Sequence, residues 1–493
     1  MKERAAPRPY SAGSGGMPHG IASPAIPGPA DRETFFAAQA RNRRAAWRLT
    51  ALAGFGVALM GVPMSAVISP LVYAAILIIN DLVSLIAPSA DLVPLLAHLH
   101  RQPGAAPLPD AAVAAIAIVA LVLPGTLAML LAWLGARALF LGPGEERLLR
   151  SLGARPPRPG DLEERQLQNL VEEMGIAAGV RPPRVAILEG TMANAGAVGT
   201  TPDDATLVVS RRLLDELDRD ETQGIIAQLV ASVGNGDLRA ALAIISMHRA
   251  FGLVMAVLGA PFGGHARMTL LRILRLGLRR GRMGPAELEE LDAMLAKTAD
   301  GPDGDIDPSR KTTVLDVLRL PFMLAQTAFW MCRLAFVSFV VGPLLALAWR
   351  SRRYLADATA VQLTRQPDAV ARGLRALATR GGAIPGGGWA APLFVIGPAG
   401  GPASGFKGDD FGFVSFSPPA PRRLARLRCQ GATVDPMREL KVIGPAGRLL
   451  LAAGVLLMGT AILGCALALA GVALAIDMLI LAPVVLVLHG LLR

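Results

Sequence analysis

The chain has 493 residues, of which 53% are apolar and only 18% charged, with a formal net charge of +11. Soluble domains carry about a quarter charged residues; here the apolar residues gather in long uncharged runs, which argues against an ordinary soluble multidomain protein. The basic residues crowd the ends of those runs and no aromatic residues interleave with them, so the excess charge predicts a membrane orientation signal and no nucleic-acid partner.

Residues 1–40 are rich in Pro, Gly, Ala and Ser and lack the apolar stretch of a signal peptide, so they read as a disordered cytosolic tail. Residues 41–142 hold the N-terminal membrane segments. Arg41, Arg43, Arg44 and Arg48 precede a run from Leu49 to Ala87 that contains Pro63 and Pro70 and is interrupted by Asp81. About 20 residues cross the hydrocarbon, so this run is either one long span with a re-entrant tail or a tight hairpin. A second run, 111–136, is a single span with Pro124 inside it, followed by Arg137, Arg147 and Arg150. Basic flanks on both sides place the following region in the cytosol. In the loop between the two runs His98 and His100 lie near Asp91; a His-x-His pair can bind a metal, but next to a membrane it reads as a polar pair.

Residues 143–240 read as water-soluble. Asp161 caps a helix with apolar positions Leu167, Leu170, Val171 and Met174, and Gly179 stops it. "RVAIL" (184–188) and "TLVVS" (206–210) read as strands, and "RRLLDEL" as a short helix. A second amphipathic helix begins at the capping pattern Asp218-x-x-Glu221 and buries Ile225, Ile226, Leu229, Val230 and Val233.

Residues 241–349 are ambiguous. The apolar stretch 241–262 contains His248 and Arg249, the stretch 320–349 contains Arg333, and between them lies a basic loop, 265–318. If both stretches cross, the basic loop lies outside, against the positive-inside rule; otherwise they dip into the membrane or pack on the soluble part. His248 and Arg249 read as an interfacial pair at the edge of a dipping helix. Residues 350–447 return to soluble character, with an amphipathic helix over 354–378 and a Gly/Pro-rich loop over 380–410. Residues 448–493 are apolar, with Asp477 between two runs, and read as a C-terminal membrane hairpin with both ends cytosolic. The three cysteines, Cys332, Cys429 and Cys465, form no CxxC pair and imply neither a disulfide framework nor a cysteine zinc site.

The second amphipathic helix reads "IIAQLVASVGNGDLR" (225–239). It resembles the central helix of the HtpX-like and CAAX-prenyl-protease-like zinc endopeptidases, whose pattern is Ala-His-Glu-x-x-His-Ile-x-Asn-Gly-Asp. Ala227, Asn235, Gly236 and Asp237 fall on it in register. "FFAAQARNRR", "VEEMGIAAGVRPPRVAILE", "MANAGAVG", "RRYLADATAVQLTRQPDAVARGLRAL" and "FSPPAPRRLARL" resemble further segments of that family in the same order, covering most of residues 33–430. The ordered set carries the resemblance. It implies a mainly α integral membrane protein with a small β-sheet next to the zinc helix, and a groove beside an edge strand near "MANAGAVG" that accepts an extended peptide by strand addition.

In the resembling family, two histidines one helical turn apart and a glutamate from another helix hold zinc, and the Glu after the first His is the general base. Here Gln228 and Ser232 stand at the histidine positions, Leu229 at the base, Arg353 at the third ligand, and Ser417 at a later family His. Gln and Ser are poor zinc ligands, Leu accepts no proton, and Arg places a fixed positive charge where the cation would sit. No catalytic residue, metal or cofactor is therefore expected, although the family uses zinc. Asn194, Asn235, Asp237 and Asp357 read as retained supports, with Asp237 and Asp357 tying helices together. "GNGD" (234–237) also matches the Gly-x-Gly-Asp of presenilin-type aspartyl proteases, with Asp357 as the imaginable partner, but it ends an amphipathic helix and is followed by Arg239, outside any span.

The expectation is a catalytically inactive membrane metallopeptidase homologue in a bacterial inner membrane, its peptidase-like part facing the cytosol. It would bind or regulate membrane or misfolded proteins. The alternatives are an active zinc-type endopeptidase with an unorthodox site, and a structural membrane assembly protein. The implied partners are the lipid bilayer and either protein or peptide clients or an active paralogous peptidase.

Overall fold

The computed structural model describes residues 33–86, 110–138, 149, 152–190, 192–260, 263–278, 285–300, 314–380, 392–397, 417–437 and 445–492. Most of the tail expected over 1–40, the pair His98 and His100 with Asp91, and most of the loop expected over 380–410 lie outside these residues.

Two long helices open the chain, α1 (Phe35–Ile86) and α2 (Asp110–Ala136). The first is continuous through Pro63 and Pro70 and starts inside the stretch read as tail. At 1.5 Å per residue its 52 residues reach about 78 Å, more than twice a hydrocarbon core. Its first turns and its middle both have partners. The first turns dock on the soluble part: the Glu33 amide donates to the Cys429 carbonyl at 2.9 Å, and Gln39 donates to Gln362 at 2.6 Å. Further along, α1 pairs with α2 through Ser65 and Thr126, 3.0 Å apart, and through the Gly125 amide donating to Ser69 at 2.9 Å. A Cβ at position 125 would fall 2.1 Å from the Ser65 carbonyl oxygen, so the small residue sets the spacing of the two helices.

The sheet-bearing part of the described chain is built on four strands covered on both faces. Its strands are β1 (Ala154–Arg155), β2 (Arg184–Leu188), β3 (Ala195–Val198) and β4 (Thr206–Ser210), in the order β1-β2-β4-β3. β2 and β4 run parallel, with Val185 opposite Leu207; β1 and β3 are antiparallel edges. Every residue of β4 is buried, as a central strand with both faces covered requires. On one face pack α3 (Leu162–Ala178) and α5 (Arg219–Gly234), sharing a core with Leu207 and Val209; on the other, Val208 meets Leu242, Ile245 and Trp349. The short α4 (Arg211–Glu216) joins β4 to α5.

These elements follow the local signals. Asp161 accepts the Glu163 and Glu164 amides and starts α3, and Gly179, at φ 65°, ends it. Asp218 and Glu221 form the reciprocal capping box of α5. At the β1 edge, Arg155 donates to both carboxylate oxygens of Glu164, at 3.0 and 2.6 Å, and holds that buried carboxyl below the usual carboxylate range.

From the sheet the chain returns to long helices: α6 (Asp237–Gly259), α7 (Gly264–Leu278), α8 (Pro285–Asp300) and α9 (Val314–Phe336). A π-helical turn (Val337–Val341) leads without a break from α9 into α10 (Gly342–Thr364). Then come α11 (Pro367–Arg380), α12 (Ala420–Cys429) and α13 (Pro445–Leu492). Among the described residues, five helical stretches are long and apolar enough to cross a membrane, in α1, α2, α6, the α9–α10 rod and α13. Exposed apolar side chains such as Phe55, Leu131, Leu456 and Leu457 line α1, α2 and α13. The chain is a mainly helical, multi-pass membrane protein with a small sheet.

Three expectations are corrected. The stretch read as a C-terminal hairpin is one unbroken helix of 48 residues; a single aspartate among Leu, Ala and Ile does not supply the backbone freedom a turn needs. The basic loop 265–318 contains α7 and α8, because its apolar residues recur at helical spacing: Ile273, Leu291 and Leu295 pack on Ala250. Arg249 is buried in the helix bundle, 1% exposed, where the edge of a dipping helix was expected. Helices α2, α7, α8 and α9 pack around α6 and cover most of its large apolar residues, while Val257 stays exposed. Trp133 of α2 donates to Ser246 within that contact at 3.1 Å.

Candidate functional site

The site lies where α5, α10, α12 and the β3 edge converge. Residues 224–233 of α5 are all buried, because the helix is enclosed by the sheet, α3, α10 and α11. Gln228, with no exposed surface, has no hydrogen-bond partner for either its amide nitrogen or its oxygen. Leu229 belongs to the core shared with the sheet. The Ser232 hydroxyl donates to Asp237 at 2.8 Å. That contact depends on the break between α5 and α6: Asn235 caps α5, and Gly236 takes a left-handed φ of 74°, turning the chain so that Asp237 returns to Ser232. The other Asp237 oxygen accepts from Arg352 of α10 at 2.9 Å, so this carboxylate ties α5 and α6 to α10.

On α10, Trp349, Arg353 and Asp357 follow one another at successive helical turns, on one face. The Arg353 guanidinium, 3% exposed, lies 4.9 Å from the Trp349 ring centre and donates to the carbonyls of Pro392 and Phe394 at 2.7 and 2.8 Å. Asp357 accepts a two-pronged bond from Arg423 of α12, at 2.9 and 2.6 Å. Arg423 is fully buried and also donates to the Val395 carbonyl at 2.8 Å. Asn194, just before β3, donates to the Ile396 carbonyl at 2.9 Å and accepts the Ala195 amide at 2.9 Å. Ser417 lies at the far end of the same segment: a Cβ on Gly397 would fall 2.5 Å from its hydroxyl.

Asn194 and Arg353 therefore bond to one short stretch, Pro392–Gly397, which Asp357 reaches through Arg423, Ser417 flanks at Gly397, and a single antiparallel bridge joins to β3. Phe394 pairs with Gly196, and the Val395 amide donates to the Ala195 carbonyl at 2.8 Å. Gly196 permits the approach, since a Cβ there would sit 2.9 Å from the Leu393 carbonyl oxygen. At Ala195 and Gly196 the edge beside which a groove was expected is met by the chain itself. Ser232 and Asp237 form a neighbouring group, and Gln228 and Leu229 lie in the core of α5. The Asn235 side-chain nitrogen is buried without a hydrogen-bond partner. Sequence reasoning did not single out Arg352, Arg423 or Pro392–Gly397. The signal for Arg423 was present: a basic residue at the inward position of the amphipathic "APRRLARLRC", beside Leu424 and Leu427. Among the described residues, no group of three or more His, Cys, Asp and Glu side chains is placed to hold a metal ion.

Residues 161–280 match the model of Peptidase family M48, and that match spans α3, the sheet strands β2 to β4, and α4 to α7. Over that part the chain is similar to a class of membrane metallopeptidases, the HtpX-like proteins. Among its relatives is a protein described as a protease HtpX homolog from Dictyoglomus thermophilum, 27% identical over 288 residues, covering 58% of this chain and 76% of the relative. A protein of the same description from Pyrococcus furiosus is 29% identical over 270 residues, covering 54% and 73%. Another from Listeria monocytogenes is 27% identical over 220 residues, covering 42% and 56%.

Proposed function

We propose that this chain is a catalytically inactive member of that class, a pseudopeptidase that binds or regulates membrane or misfolded proteins. The observation that carries the reading is Arg353. At the position where the family resemblance puts a metal-binding carboxylate, a buried guanidinium spends its donors on backbone carbonyls. The residues present do not fit a zinc ion. Zinc sites in proteins are built from Cys, His and carboxylates, whereas α5 offers an amide, an isobutyl group and a hydroxyl already bonded to Asp237. At 4 Å and an effective dielectric of about 20, each unit of positive charge on a metal would be repelled by Arg353 by roughly 4 kcal/mol. Leu229 cannot take a proton from water.

The test is metal content and cleavage measured together on the purified full chain. The expected result is zinc far below one per chain and no chelator-sensitive cleavage of casein. Near-stoichiometric zinc that is lost in Gln228→Ala would overturn the reading and favour an active peptidase, as the relatives' descriptions suggest.

The same reading places the protein in a bacterial inner membrane with the sheet and its helices on the cytosolic side. Arg41, Arg43, Arg44 and Arg48 lie on the turns of α1 that approach the soluble part, the end that positive-inside bias assigns to the cytosol. Clients, or an active paralogous peptidase, would then be met on that side.

A further inference from the structure

We propose that the exposed face of α1, where the helix enters its apolar run, is a binding site for an acidic phospholipid. Arg43 and Arg44 take the headgroup phosphate, Trp47 sits at the level of the ester groups, and Ala51, Gly54 and Ala58 carry an acyl chain. Over these turns the helix has two unlike faces. Ala38, Asn42, Ala46, Ala53 and Met60 are buried, and Asn42 accepts from Arg426 of α12 at 3.1 Å. Arg43, Trp47, Ala51, Gly54 and Ala58 recur at three- and four-residue spacing on the opposite face. All five are exposed, Trp47 by 74%. This face turns away from the rest of the described chain, so what covers it comes from outside.

The charge on this face is uncompensated. Arg41 is paired with Glu33, but among the described residues Arg43, Arg44 and Arg48 meet no carboxylate. Free guanidiniums beside a bare indole suit a phosphate-bearing anion at a membrane surface. The planar guanidinium fork matches phosphate oxygens, and the indole, apolar in its body and polar at its N–H, settles at the interface. Beyond Trp47 the stripe becomes smooth. Ala51, Gly54 and Ala58 lie about 6 to 17 Å further along the axis, which matches the roughly 15 Å of hydrocarbon in one leaflet. A Cβ on Gly54 would meet nothing within 4 Å, so the track is open to an acyl chain. A free phosphate would use the arginines alone; a lipid uses the whole stripe. The site is independent of the pseudopeptidase reading and of which side of the membrane the sheet occupies.

The experiment uses the full chain in nanodiscs of phosphatidylcholine with a minor fraction of phosphatidylglycerol, one lipid or the other brominated on its acyl chains. Trp47 fluorescence is taken as the difference between the wild type and Trp47→Phe. Brominated phosphatidylglycerol should quench Trp47 well beyond its share of the bilayer, and brominated phosphatidylcholine should not. Arg43→Gln with Arg44→Gln should weaken the preference by about fivefold for each arginine removed. Arg41→Gln, whose guanidinium is already held by Glu33, should leave it unchanged. Gly54→Leu places its side chain in open space and should weaken binding with both arginines intact; it carries the test alone if the double variant fails to fold. Each of five results would overturn the proposal. These are equal quenching by the two lipids, a preference that survives Arg43→Gln with Arg44→Gln, an equal loss in Arg41→Gln, no effect of Gly54→Leu, or displacement of the lipid by glycerol phosphate, which has the headgroup charge without the chains.

Discussion

Gln228 and Asp357 sit a few turns into neighbouring helices and illustrate two opposite uses of a buried polar group. Asp357 is matched by Arg423 with two hydrogen bonds, and neither partner reaches solvent. Removing one member of such a pair strands a charge; Asp357→Leu should lower unfolding stability by about 3–5 kcal/mol, read as a large drop in melting temperature in detergent. Gln228 has no partner at all. An unsatisfied buried amide costs about 1–3 kcal/mol, so Gln228→Met, of similar volume, should raise the melting temperature. A fall would show that the amide is engaged by something bound, and would count against a vacant, non-catalytic position.

At the scale of elements, the β1–α3 corner carries a pH dependence. Asp161 and Glu164 both have carboxyls held below their ordinary range, Asp161 chiefly by the Glu164 amide and Glu164 chiefly by Arg155. A carboxylate depressed in the folded state contributes stability that is present above its unfolded value and lost as pH falls through the folded one. Glu164→Gln should therefore lower stability at neutral pH and flatten its decline below about pH 4.5, measured by thermal unfolding across an acid series. Much of this corner was legible in the sequence, because Asp161, Gly179 and the Asp218–Glu221 box act on their own neighbours. The C-terminal run was not, because an apolar helix and an apolar hairpin have nearly the same composition and differ only in a turn that Asp477 does not make. Nor was the closure of the β3 edge: Asn194 and Ile396 are 202 residues apart, and no local pattern announces their contact. The register of "AQLVASVGNGD" and the helical spacing of Trp349, Arg353 and Asp357 were readable; what Arg353 holds was not.

For the molecule as a whole, the beginning of α1 is as much a part of the sheet-bearing region as of the long apolar helices. Glu33, Gln39 and Asn42 bond to Cys429, Gln362 and Arg426, residues from α10 and α12. Arg426 in turn lies 3.5 Å from the ring centre of Tyr354, one residue beyond Arg353. Removing residues 1–45 should leave the sheet protected from hydrogen exchange while α12 and the second half of α10 exchange faster. Equal protection with and without those residues would show that the docking contributes little.

The π-turn at Val337–Val341 sits midway along a single rod running from Val314 to Thr364. Val340 and Val341 touch Gly56 of α1, where a Cβ would come within 3.3 Å, and Phe339 presses on Gly459 of α13. This pivot is gripped by two lipid-lined helices, and the arm beyond it carries Arg353. Twelve residues of helix separate Val341 from Arg353, an arm of about 18 Å, so a 10° swing moves the guanidinium by about 3 Å. That is a whole hydrogen-bond length, so the grip on Pro392 and Phe394 requires the rod beyond the turn to stay fixed, and its packing along α1 and α5 is what holds it there.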